Sequence, residues 1–252
     1  MRLRSGLLIG LFGLVVVLLG GWYFTIAIAL LTYIALLEFF RMAEFTGIKP
    51  ATKTTLFSCF IITIATYLEV IGFLDREIYN SILPICSVGI CTWLLLQPKS
   101  GTISDIAASI FGLFYLGFLP SYWIKLRAIQ STINNSSDGI LSVENFSNST
   151  GLYLTLISCL LIVASDIGSY FIGKSFGKRS LTPISPSKTI EGLIGGIICS
   201  ISVATFFAFL LNWQNPFIIG IFYGILVSLM ALVGDLIESM MKRDAKIKDS
   251  GT

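Results

Sequence analysis

The sequence contains no histidine. That excludes imidazole zinc sites, serine–histidine triads and histidine acid–base chemistry within this chain. Charge is scarce as well. Only 12% of the 252 residues are Asp, Glu, Lys or Arg, about half the usual share for a soluble domain. The net charge of +3 is too small to argue for a nucleic-acid partner. Cysteine is sparse and unpatterned. Cys59, Cys86, Cys91, Cys159 and Cys199 fall in apolar runs, none in a Cys-x-x-Cys pair, so buried free thiols are expected.

Apolar residues dominate instead: 55% of the chain is hydrophobic and the mean hydropathy is +0.87. A membrane crossing by a helix needs ~20 apolar residues. Residues 5–37 carry no charge, are too long for one crossing, and are interrupted by Gly20-Gly21-Trp22. Two helices joined at the glycine pair are expected, the first one short. A cleaved leader is disfavoured because the second apolar run follows at once. Further spans are predicted at 56–73, 78–96, 106–122, 152–171, 193–211 and 217–233. The expected fold is therefore all-α: a polytopic transmembrane bundle of about eight spans. Residues 1–130 form N-terminal membrane helices, 131–151 a polar extracytoplasmic loop, and 152–252 the C-terminal membrane helices.

The basic residues set the expected orientation. With the N-terminus in the cytoplasm, all of the 17 Lys and Arg except Arg76, Lys125 and Arg127 fall inside. Both ends are then cytoplasmic. The connector at 174–191 and the tail from Gly234 share that face. The Asn/Ser-rich stretch 130–150 falls outside, and its Asn145-Phe-Ser147 sequon carries little weight.

Two constellations carry chemistry. The first runs Ser165-Asp166-Ile-Gly168-Ser169-Tyr170, through Gly173-Lys174-Ser175-Phe-Gly177-Lys178, to Ser185-Pro186-Ser187-Lys188-Thr189-Ile190-Glu191-Gly192. Asp166 lies near the cytoplasmic end of an apolar helix, where an ionised carboxylate is costly unless paired or metal-bound. Gly168-x-x-x-x-Gly173-Lys174-Ser175 matches a P-loop pattern, but a membrane helix precedes it where a P-loop needs a strand. Ser185 is expected to cap a new helix with Pro186 in its first turn, offering N–H groups to a phosphate. Gly192 and Gly196 form a Gly-x-x-x-Gly spacing suited to close helix packing. The second constellation is Gly234-Asp235, Glu238-Ser239, Lys242-Arg243 and Lys248-Asp249. Asp235, Ser239 and Lys242 share one helical face. A solvated, headgroup-facing tail explains the basic residues but not the position of Asp235.

At these residues the chain resembles the phosphatidate cytidylyltransferases (CDP-diacylglycerol synthases). Ser239-Met-Met241-Lys242-Arg243, four residues, then Lys248-Asp249-Ser250-Gly251 is similar to that family's signature at every fixed position. The Phe-Gly-Lys and Ile-Ser-Pro-x-Lys-Thr-x-Glu-Gly elements resemble its preceding block. The specific likeness covers about residues 160–252. The family signature continues into His-Gly-Gly and Asp-Arg-x-Asp elements, so the resemblance implies a C-terminally truncated chain.

The resemblance implies transfer of CMP from CTP to phosphatidic acid, giving CDP-diacylglycerol and pyrophosphate. The lipid phosphate is the nucleophile, so no Ser, Cys or His nucleophile is needed. It implies Mg²⁺, with room for a second cation, on Asp235, Asp249 and Asp166. It places Ser185, Lys188 and Thr189 on CTP, and Lys242, Arg243 and Lys248 as catalytic counter-charges to phosphates. It also implies a homodimer in a bacterial inner membrane, with its site on the cytoplasmic face. The alternatives are a CTP-dependent lipid kinase of the dolichol or phytol type and a membrane transporter. The Asp-Gly-x-x-Ala-Arg motif of CDP-alcohol phosphotransferases is absent.

Overall fold

A computed structural model describes residues 2–98, 101–129 and 150–247. Among them there are helices and one isolated bridge, Ser180 to Thr189, and no strand. Seven helical segments are long and apolar enough to cross a membrane: Gly21–Phe45, Thr52–Val70, Arg76–Leu95, Ile103–Arg127, Thr150–Phe176, Ile190–Leu210 and Pro216–Asp244. The eighth expected span is the helix Arg2–Leu19, which is not among these seven. The protein is an integral, multi-pass membrane protein.

Two compact units form, one up to Thr155 and one from Leu156 onward. In the first, α1 (Arg2–Leu19) and α2 (Gly21–Phe45) join at Gly20, whose φ is +63°. A side chain there would be strained, and the Arg127 guanidinium packs against the open Cα. Helices α3 (Thr52–Val70) and α4 (Arg76–Leu95) follow. The next span is irregular. α5 (Ile103–Phe111) gives way to a π-helical stretch, Gly112–Phe118, before α6 (Leu119–Arg127). Pro120 has no N–H to donate and its ring crowds the preceding turn, so a regular α ladder cannot run through this point. The core gathers Leu36, Phe40, Cys59, Ile62 and Leu113. Gly112 faces Phe40 and Leu36, and Gly117 faces the Cys59 sulfur. All five cysteines are free thiols, as expected, with Cys59 and Cys86 buried.

Polar groups in this unit are tied internally. Asp105 is 7% exposed and its carboxylate accepts from Thr102 N at 2.8 Å and Lys49 N at 2.6 Å. It thereby closes the α5 capping box and pins the connector before α3. Two of the basic residues that oppose the charge bias are held by protein. Lys125 pairs with Glu69 at 2.6 Å and lies 3.8 Å from the Tyr79 ring centroid. Arg127 donates to the Val17 carbonyl at 2.8 Å and the Leu18 carbonyl at 3.3 Å, at the C-terminus of α1.

The second unit is built from α7 (Thr150–Phe176, from Leu156 on), α8 (Ile190–Leu210) and α9 (Pro216–Asp244). Its apolar centre is Ile157, Leu161 and Ala204, flanked by Phe207, Trp213 and Tyr223. Glycines allow the helices to meet at backbone distance. A Cβ on Gly224 would lie 2.6 Å from Ile201 Cα, and one on Gly220 2.6 Å from Thr205 Cα. The α8–α9 turn uses Asn212 and Asn215 at φ 51°, which asparagine tolerates better than most residues, and Pro216 opens α9.

The span expected at 217–233 runs on without a break: α9 ends only at Asp244, so Asp235, Ser239 and Lys242 lie on one helix as expected. Met, Leu and Ile alternate with acids and bases through 235–244, which keeps a helical stripe going after the apolar run stops.

Candidate active site

A cavity of about 430 Å³ opens in the second unit between α7, α8, α9 and the loop before α8. α7 supplies Ser165, Asp166, Ser169, Tyr170, Gly173 and Lys174, a recurring helical face. α9 supplies Ser228, Ala231, Leu232 and Asp235, again one face. The loop contributes Leu181, Ser187, Lys188 and Thr189, and the start of α8 adds Gly192 and Leu193. Hydroxyls line the inner part. Ser165 and Ser228 share a buried hydrogen bond, Oγ to Oγ 2.7 Å. The charged groups Asp166, Lys174, Lys188 and Asp235 also line the cavity, and the Lys188 ammonium pairs with the Asp235 carboxylate.

The loop is shaped by its own hydrogen bonds. Leu181 N donates to Lys188 O at 2.7 Å, and Ile190 N to Arg179 O at 3.1 Å. Together with the Ser180–Thr189 bridge these make a narrow hairpin. Glu191, in the first turn of α8, accepts from Lys178 N at 3.1 Å and Arg179 N at 3.4 Å. Ser185 N donates to Thr182 Oγ1 at 3.3 Å, and Lys188 N to Ser185 O at 3.1 Å. The hairpin thus turns through 182–187 and brings Ser187, Lys188 and Thr189 to the cavity.

This corrects the expected cap. Helix α8 starts at Ile190, and Thr189 is its N-cap, its Oγ1 accepting from Gly192 N at 3.1 Å. Ser185 is buried in the turn and does not line the cavity. Lys188 and Thr189 carry hairpin pairing that a helix starting at Pro186 would have to break. The predicted Gly192–Gly196 packing is present: a Cβ on Gly192 would meet Ser169 O at 2.9 Å, and one on Gly196 Ser165 O at 2.8 Å.

The predicted site residues divide accordingly. Asp166, Lys188, Thr189 and Asp235 come together. Lys242 pairs with Glu238 one turn back on α9, at 2.5 Å, and neither it nor Arg243, which is exposed, lines the cavity. Lys248 and Asp249 lie outside the described residues. Six hydroxyl or basic groups of the cavity carried no role in the expectation from sequence: Ser165, Ser169, Tyr170, Lys174, Ser187 and Ser228. Ser228 stood alone in an apolar run. Its signal was its spacing of seven residues from Asp235, two helical turns on the same face.

Two exposed carboxylates facing one water-accessible cavity fit a hard divalent cation that retains most of its water and takes further oxygens from phosphate. Among the described residues there is no cluster of three or more acids or thiols that would hold a metal by protein ligands alone.

The model of the cytidylyltransferase family matches residues 1–252. The chain belongs to that family. It is 41% identical over 245 residues to a phosphatidate cytidylyltransferase of Synechocystis sp., covering 93% of this chain and 80% of that one. It is 34% identical to phosphatidate cytidylyltransferase 5, chloroplastic, of Arabidopsis thaliana, over all of this chain and 64% of the plant protein. The phosphatidate cytidylyltransferase of Bacillus subtilis is 28% identical over 99% of this chain and 86% of its own length. The chain thus spans most of the length of the bacterial relatives and just under two thirds of the plant one. Membership in this family makes the protein a nucleotidyltransferase.

Proposed function

We propose that this protein transfers the cytidylyl group of CTP to phosphatidate, giving CDP-diacylglycerol and pyrophosphate. The observation that carries the reading is the convergence of two carboxylates, two lysines and several hydroxyls on one cavity within the family's motif block. A phosphate oxygen of phosphatidate attacks the α-phosphorus of CTP. The bond from that phosphorus to the oxygen bridging the β-phosphorus breaks, and pyrophosphate leaves with the electron pair.

The residues suit these demands. Lys188 and Lys174 donate to triphosphate oxygens and offset the repulsion between two anionic substrates. The Thr189 hydroxyl lines the cavity; it accepts from Gly192 N at the start of α8 and can donate its own proton to a phosphate oxygen. Asp235 and Asp166 would hold Mg²⁺, with room for a second cation, which supplies charge neutralisation at the α-phosphorus when bound. Ser165, Ser169 and Ser228 offer neutral donors and acceptors deeper in the cavity. Lys242 and Arg243, beyond the cavity on α9, meet the lipid phosphate as it approaches from the bilayer. Lys248 and Asp249 complete the charge set by the family resemblance.

The bias of the basic connectors supports a cavity on the cytoplasmic face, where CTP is found. A bacterial inner membrane and a homodimer are the setting by the same resemblance. The test is product analysis with radiolabelled CTP and phosphatidate in mixed micelles. CDP-diacylglycerol and pyrophosphate are expected. CDP with a newly phosphorylated lipid would instead make the protein a lipid kinase. Nucleotide-independent solute flux in proteoliposomes, with no lipid product, would make it a transporter.

A further inference from the structure

Lys188 and Asp235 have opposite tasks in the proposed reaction, one toward phosphate and one toward a cation. In this structure each is the other's partner. Lys188 comes from the hairpin before α8 and Asp235 from α9, so the pair bridges two elements across the cavity. Their side chains are 25% and 52% exposed, so solutes can reach both. While the ammonium donates to the carboxylate, Asp235 has less to offer a cation and Lys188 less to offer an anion.

Resting on that reading of the cavity, we propose that Lys188 and Asp235 are mutually exclusive partners whose exchange couples cation binding to phosphate binding. Asp235 cannot serve a dication and an ammonium on the same oxygen without strong like-charge repulsion. Occupation of Asp235 therefore releases Lys188, and a released Lys188 is a better phosphate donor. The converse holds when phosphate takes Lys188 first. Linkage requires the two effects to be equal in size. A partly exposed pair is weak, so the coupling belongs at the low end of the usual range, about fivefold. The empty cavity then holds its charges balanced, and it favours a metal-bound nucleotide over either component alone. Lys174 is a natural comparison. Its ammonium lies 5.6 Å from the Tyr170 ring centroid and lines the same cavity.

The experiment uses the full chain in detergent micelles, with Mn²⁺ and inorganic phosphate tested separately so that neither chelates the other. Lys188→Gln is expected to bind Mn²⁺ about fivefold more tightly than the wild type, read by the electron paramagnetic resonance of free Mn²⁺. Lys174→Gln removes the same charge and is expected to shift much less. In the second arm, Asp235→Asn is expected to bind phosphate about fivefold more tightly by calorimetry, with Asp166→Asn as its comparison. Thermal melting confirms folding, and either arm alone reads the coupling. Equal shifts within each pair reduce the effect to general cavity charge and overturn the proposal. Mn²⁺ binding of the same affinity in every protein overturns the coupling but leaves the proposed function standing. No Mn²⁺ binding in any of them overturns both the coupling and the cation part of that function.

Discussion

Ser165 on α7 and Ser228 on α9 share a hydrogen bond of 2.7 Å, Oγ to Oγ, with both side chains buried. Beside it lie the acids: Asp166 is the next residue on α7, and Asp235 lies seven residues, two turns, further along α9. The bond joins the two helices at the inner end of the cavity. Ser228→Ala leaves the Ser165 hydroxyl without this partner and is expected to destabilise by ~1 kcal/mol. A double-mutant cycle with Ser165→Ala should return a coupling of about 0.6 kcal/mol, the usual size for interhelical bonds in membranes. Strict additivity in thermal or denaturant unfolding would show that the bond contributes nothing.

The glycines of α7 and α8 make a sharper contrast. Gly196→Ala puts a methyl group onto the Ser169 hydroxyl and 2.8 Å from the Ser165 carbonyl. The helices must separate, at a cost of ~1–3 kcal/mol, and the cavity changes shape. Gly89→Ala in α4 meets nothing within 4 Å and gains helix propensity, so it should be neutral or stabilising by up to ~1 kcal/mol. Melting temperatures that fall equally in both variants would contradict the packing described for α7 and α8.

Asp235→Asn separates chemistry from folding. The carboxylate is half exposed and its ion pair is partly solvated, so the stability cost is expected to stay under about 1 kcal/mol. Turnover to CDP-diacylglycerol is expected to fall by at least about 100-fold, the scale for loss of one group that stabilises transition-state charge. Expression and melting near those of the wild type, with unchanged turnover, would remove Asp235 from the site.

Glu191 tests the hairpin. Its carboxylate holds the Lys178 and Arg179 amides and so fixes the segment that pairs with residues 188–190. Glu191→Ala is expected to speed hydrogen exchange at 178–181 and 188–190 and to raise the KM for CTP severalfold, with a smaller change in kcat. Glu191→Gln keeps one acceptor oxygen and should recover part of both. Exchange rates that do not move would show that the hairpin is held by its backbone pairs alone.

Much of the bundle was legible in the sequence because membrane spans are written in composition. A run of about 20 apolar residues has few alternatives in lipid, where every backbone group must be bonded within its own helix. The break at Gly20-Gly21 and the Gly192–Gly196 approach were legible for a related reason: glycine marks places where a side chain does not fit. The start of α8 was not legible. Ser185-Pro186 reads as a cap, and only the pairing of 179–181 with 188–190 moves the start of the helix to Thr189. The helical face of Asp235, Ser239 and Lys242 was legible, but not that it belongs to the same unbroken helix as the apolar run ending at Val233.

By itself, then, the sequence determined the solvent, the spans and the two motif blocks, all properties of composition and local order. Tertiary structure decided which of their polar residues meet. Ser165, Asp166, Lys188, Ser228 and Asp235 come from three separated segments, and only helix crossings at glycine distance bring them to one cavity. The same packing put Lys188 on Asp235, a pairing between residues 47 positions apart that no local pattern encodes.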